Sequence, residues 1–393
     1  MMQSWRTVAV LAAAQALAAS GGPLVTLAGG IVGQRLAPSP LLATLPITAL
    51  VIGMALSAVP AALLMRRIGR RAGFMTGAAI SSAGALLASA ATAQGRFAAF
   101  CLATLVMGTG SAFVAQYRFA AAESVDPRHT GRAVSFVLVG GIVAGVLGPE
   151  IGRHARRWFG AEFSGAFIVV AGVQAIALLL LGALRLPPST SPATPVERLP
   201  VRTFLTRPAF VLAMVSASGA YAVMSFIMTA TPISMHVHDQ YSLDDTAFTI
   251  QSHVVAMFVP SLVTGFLVDR LGLTRMMIAG TVTLMAGLVA AASGHTVWAY
   301  WTGLVLLGAG WNLLFVGATV LLTRSYAPAE RFRAQGLNDV AVFGSQALAS
   351  LASGAVLHRF GWIAMNLAAA PILILVLALI VRSRRRPALP PGC

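Results

Sequence analysis

Lysine is absent from this 393-residue chain, so all 27 basic residues are arginine, and only 11 residues are acidic. Charged residues make up 10% of the chain against 58% apolar ones, a balance that no ordinary soluble core requires. The two cysteines, Cys101 and Cys393, supply neither a disulfide framework nor a Cys-x-x-Cys metal site. The basic residues are spread among short loops without interleaved aromatics, which argues against a nucleic-acid partner despite a net charge of +16.

Long apolar runs are what the sequence has in abundance. They recur at about the 20-residue length that crosses a bilayer. Twelve spans are expected near residues 8–33, 41–65, 72–93, 97–121, 133–152, 162–184, 208–235, 246–268, 276–293, 297–322, 336–356 and 361–381. The first is too long for the apolar core of a cleaved signal and is soon followed by another span, so it reads as an uncleaved helix. Arginine divides unevenly between alternate loops, 21 on one side and six on the other. By the positive-inside rule the rich side, which includes both termini, is cytoplasmic. Arg153, Arg156 and Arg157 on the poor side are exceptions to that count.

The chain repeats itself with a period of about 200 residues. Arg67-Ile68-Gly69 matches Arg270-Leu271-Gly272; Gly108 and Gly110 match Gly308 and Gly310; Pro127 with Arg132-Ala133 matches Pro328 with Arg333-Ala334. The expected organisation is a six-helix half over 1–184, a linker over 185–207 rich in Pro, Ser and Thr, and a second six-helix half over 208–393.

Two spans carry ligand-bearing side chains at helical spacing. Met224 and Met228 in span seven share one helix face, as do His253 and Met257 in span eight. Thioether sulfur suits soft Cu(I) and imidazole tolerates it. At about 1.5 Å per residue, Met228 and His253 lie roughly 10 Å below the outer edge and Met224 and Met257 roughly 16 Å, two matched levels near the depth where carriers place substrate. Methionine also fills gaps in apolar cores, so the pattern alone leaves packing open. An ionisable residue such as His253 inside a span points to function. At the outer mouth, Met235, His236, His238 and Asp239 form a second candidate group for capturing copper. Glu150 and Asp339 are the titratable candidates for energy coupling, and Arg118 in span four is suited to an anionic substrate or to pairing with Glu123.

Taken together, the twelve spans and the repeat resemble the major facilitator superfamily. The resemblance implies an all-α membrane fold of two pseudo-symmetric six-helix halves and a carrier rather than an enzyme. Gly265-x-x-x-Asp269-Arg270-x-Gly272 is similar to that family's cytoplasmic loop motif. The first-half copy keeps Arg67 and Gly69 but has Ala62 and Arg66 where the glycine and aspartate are expected. By the resemblance these residues form a conformational latch, with Glu123 and Asp126 as partners. Gly148-Pro149-Glu150-Ile151-Gly152 partly resembles the signature of drug antiporters, although Thr104 and Ala144 depart from it.

Met224-x-x-x-Met228 with Thr229-Ala230-Thr231-Pro232, and His253-x-x-x-Met257 with Pro260-Ser261, resemble the paired motifs of the CcoA-like copper importers, a bacterial branch of the superfamily. That resemblance implies import of copper, as Cu(I) or a small copper complex, across the cytoplasmic (inner) membrane through these four residues. The copper would pass to a cytoplasmic acceptor and serve haem-copper oxidase assembly, with no organic cofactor. The alternative is carriage of an organic cargo, as riboflavin-like uptake or drug/proton antiport.

Overall fold

A computed structural model describes residues 2–126, 130–184, 200–327 and 330–384. Helices α1 (Met2–Ala18) and α2 (Gly21–Leu36) form the first span, α3 (Leu45–Ile68) the second and α4 (Arg70–Ala93) the third. Span four is α5 (Phe97–Val114) continued by α6 (Tyr117–Glu123); α7 (Thr130–Ala155) and α8 (Ser164–Gly182) follow. A short α9 (Val201–Leu205) leads into α10 (Pro208–Pro232), extended by the π-helical segment Ile233–His238. Span eight is α11 (Leu243–Phe258) with α12 (Ser261–Leu271), then come α13 (Leu273–Ala292) and α14 (Val297–Thr323). Helix α15 (Arg331–Ala368) runs through span eleven and turns at Gly361 into the last span, which α16 (Ala370–Arg384) completes.

Ten described stretches are long and apolar enough to cross a bilayer. The tenth, Arg333–Ser383, holds two spans on either side of Gly361, and α7, which carries Glu150 and Arg153, brings the total to twelve. Such a chain must satisfy every backbone group internally, and helices do so.

Packing repeats between the halves. Helix α5 is flanked by α3 and α4, and α14 by α11 and α13. The repeat extends to backbone detail: Gly69 (φ 84°, ψ 156°) and Gly272 (φ 78°, ψ 153°) occupy nearly the same left-handed conformation where α3 turns into α4 and α12 into α13. A side chain there would be strained, so both Arg-x-Gly landmarks need their glycine.

Two spans expected to be continuous are broken. In span one the break falls at Ser20, where Gly21, Gly22 and Pro23 weaken the ladder; the freed Ala18 carbonyl accepts from Gln174 Nε2 of α8 at 2.8 Å. In span eight the break falls at Pro260, and Asn312 of α14 holds both sides of it, donating to the Met257 carbonyl at 2.7 Å and to Ser261 Oγ at 2.6 Å. Thr264 Oγ1 closes the set, 3.0 Å from Asn312 Oδ1.

The halves meet towards the arginine-poor end. There α7 packs on α11, α3 on α15, and α2 on α10 and its π-helical extension. Thr48 Oγ1 lies 3.0 Å from Ser350 Oγ, which lies 3.2 Å from Thr229, a buried hydroxyl chain from α3 through α15 to α10. Trp158, Phe159 and Trp298 stand exposed at the same end.

Candidate functional site

Met224 and Met228 lie on α10, and His253 and Met257 on α11. Met224 and Met228 are buried on α10, and His253 is fully buried on α11. Helices α10 and α11 touch each other little: α10 lies chiefly against α15 and then α14, and α11 against α14 and then α7. For α11 the close approach is permitted by Gly308 of α14, whose absent side chain admits the α11 backbone; a Cβ there would stand 2.6 Å from the His253 carbonyl oxygen. The imidazole follows, with Nδ1 2.7 Å from the Leu304 carbonyl of α14. A carbonyl only accepts, so Nδ1 carries the proton and Nε2 keeps its lone pair, buried and without a protein partner. The described residues contain no cluster of three His, Cys, Asp or Glu side chains able to hold a metal.

The outer group is already engaged. Met235 is fully buried. His236 places Nδ1 2.8 Å from the Tyr241 carbonyl and accepts at Nε2 from Arg156 at 3.2 Å. Asp239 accepts from Tyr300 Oη at 2.7 Å and from His295 Nδ1 at 2.8 Å. Among the four, His238 alone is exposed.

Among the latch residues, Arg67, Asp126 and Arg270 are exposed, and Gly69 and Gly272 form the turns described above. The side chains of Glu123 and Asp269, and the surroundings of Gly265, lie outside the described residues. Glu150 sits at the arginine-poor end, held by Arg153 and Gln251.

A different cluster gathers where α10, α14 and α15 of the second half meet, within electrostatic reach of the first. Asp339 and Phe343 lie one turn apart on one face of α15. Phe343 meets Tyr221 of α10, ring centroids 6.1 Å apart. Tyr221 stands edge-on to Trp311 and Phe315 of α14, each at 5.0 Å and 79°, and those two stack at 5.0 Å and 13°. Arg118 of α6, from the opposite half, is within electrostatic reach of both Tyr221 and Asp339. Arg118 and Asp339 are both exposed although they lie on spanning helices. Four aromatic rings beside one cation and one anion suit a flat conjugated molecule with polar edges. Arg118 and Asp339 were individually visible in the sequence. The aromatic cluster was not, because its members come from three helices and share no local motif.

A family model described as Major Facilitator Superfamily matches residues 8–262 and 237–392. The chain is 40% identical over 387 residues to the riboflavin transporter RfnT of Brucella anthropi, covering 98% of this chain and 97% of that protein. It is 30% identical over 399 residues to each of two MFS-type transporters of Bacillus subtilis, YdeG and YddS, covering 97% of this chain and 92% and 91% of theirs. Matches of this length, on a chain whose two halves repeat each other's packing, carry one conclusion: it belongs to the Major Facilitator Superfamily.

Proposed function

We propose that this transporter takes up an uncharged, planar, conjugated organic cargo of the riboflavin kind, by alternating access between its halves. The observation that carries the reading is the Tyr221, Trp311, Phe315 and Phe343 cluster, which offers ring faces and edges to a flat heterocycle. One relative, 40% identical, is a riboflavin transporter, which supports the organic alternative over the copper reading drawn from the paired motifs. Arg118 and Asp339 offer compensating charge, a setting for a polar but neutral molecule. With the arginine-rich side cytoplasmic, the packed end faces outward, which corresponds to an inward-facing state.

The test is uptake of labelled riboflavin by a riboflavin-requiring bacterial strain lacking its own flavin carrier, with and without this protein. Accumulation that Tyr221→Ala and Phe343→Ala reduce at unchanged membrane abundance supports the reading. Accumulation equal to that of the empty strain refutes it.

Copper remains as a second reading on one observation, the buried and unpartnered Nε2 of His253 with its tautomer set by Leu304. Met224, Met228 and Met257 would then be the thioether partners, and copper the cargo. Cellular copper measured by mass spectrometry in the same strains separates the two: a rise abolished by His253→Ala and Met224→Ala supports copper, and an unchanged content removes it.

A further inference from the structure

The three arginines that violate the charge asymmetry of the loops follow α7's proline at the packed end, and two of them reach across to the other half. Arg153 Nε donates to Asp244 Oδ1 of α11 at 2.7 Å, while its Nη1 donates to both oxygens of Glu150 at 2.8 and 3.0 Å. Glu150 in turn accepts from Gln251 Nε2 of α11 at 2.8 Å. Arg156, pinned by Glu162 of its own half, donates to His236 Nε2 of the other. The buried Thr48, Ser350 and Thr229 chain also joins the two halves.

We propose that Arg153 is the latch of the arginine-poor end: by bridging Glu150 and Asp244 it holds α7 to α11 while that end is closed, and its bond to Asp244 breaks each time the end opens. A guanidinium suits this role because its fork serves two carboxylates from different halves at once. The carboxylates also explain the exception to the charge count, since Arg153 is held by partners rather than by topology. Reclosure needs only that the fork meet Asp244 again, because Glu150 keeps the side chain aimed while the halves are apart. The proposal is independent of the cargo.

Its size follows from exposure. The side chains of Arg153 and Asp244 are 30% and 70% exposed, so the bridge has the strength of a surface pair and biases the equilibrium by about two- to five-fold. The reporter is Thr44, fully buried beneath Gly354 of the opposite half and therefore accessible only when that end opens. In the full chain with Cys101 and Cys393 changed to serine, Thr44→Cys is labelled by a maleimide in detergent without any cargo present. Labelling about three-fold faster in Arg153→Gln and in Asp244→Asn is expected, with the double variant no faster than either single one, because both remove the same bond. Arg153→Lys, which keeps charge but loses the fork, falls between. Arg157→Gln serves as the neighbouring control at the wild-type rate. Equal rates in wild type, Arg153→Gln and Asp244→Asn overturn the proposal, as does a double variant whose effect is the product of the singles. Circular dichroism and elution volume identify a variant that has merely lost its fold, and in that case Arg153→Lys, the mildest change, decides by the same rate comparison.

Discussion

Replacing Asn312 with leucine tests how span eight tolerates its break. The two residues are similar in size, so the change removes polarity with little change in volume. Thr264 retains its bond to the Pro260 carbonyl at 2.6 Å, and Ser261 Oγ can turn, which leaves the Met257 carbonyl as the principal orphan. An unsatisfied buried acceptor costs about 1–3 kcal/mol, and each lost interhelical hydrogen bond within a bilayer about 0.6 kcal/mol. The sum is a destabilisation of about 2–4 kcal/mol, which corresponds to a fall in Tm of about 2–5 °C for a chain of this length. The assay is thermal unfolding of the purified protein in detergent, followed by tryptophan fluorescence. Thr323→Ala provides the comparison, since that hydroxyl is exposed and bonds only to the Val320 carbonyl of its own helix. Its Tm is expected to stay within about 1 °C of wild type. An Asn312→Leu protein as stable as Thr323→Ala would refute the reasoning that Asn312 compensates for the proline.

Other outcomes follow from the same geometry. Tyr221→Ala is expected to raise the KM for flavin uptake about 5- to 100-fold, the loss of one aromatic contact worth about 1–3 kcal/mol, as measured by initial rates. Gly308→Ala is expected to reduce folded protein, because its Cβ would meet the His253 carbonyl, while Gly172→Ala, facing open space, is expected to leave fluorescence-detected elution unchanged. The carboxylate of Glu330 is gripped by Arg207 at 2.6 and 2.9 Å, and by the Ala327 backbone N–H, which together bring its pKa from 4.5 down to about 2. A depressed pKa means the contribution is fully present above pH 4.5 and lost as pH falls towards 2, so wild-type Tm should drop more than that of Arg207→Gln between those limits.

Much of the architecture was legible before any coordinates. Arginine asymmetry, apolar run length and the Arg67-Ile68-Gly69 and Arg270-Leu271-Gly272 landmarks are local signals, and local signals survive in one sequence. The break at Pro260 was foreshadowed by the proline, but its repair by Asn312 was not, because 52 residues separate them. The same limit explains the site. Met224 and Met228 share one face of one helix by spacing alone, whereas the close approach of α11 to α14 at His253 depends on Gly308, a residue 55 positions away on another helix. Tyr221, Trp311, Phe315 and Phe343 are ordinary aromatics until three helices bring them together. Arg153 and Arg156 looked like anomalies of topology because their partners, Asp244 and His236, belong to the opposite half.

The exposed Trp158, Phe159 and Trp298 have a mechanical consequence. Indole rings settle at the headgroup boundary and resist movement into either water or hydrocarbon. With Trp158 and Phe159 on the first half and Trp298 on the second, each half is moored in the same leaflet, near the packed end. A body fastened at one edge swings about that edge, so the far leaflet must accommodate the larger lateral displacement as the protein works. Lipid crowding in that leaflet therefore becomes a brake on turnover, whereas thickening the bilayer loads the moorings themselves.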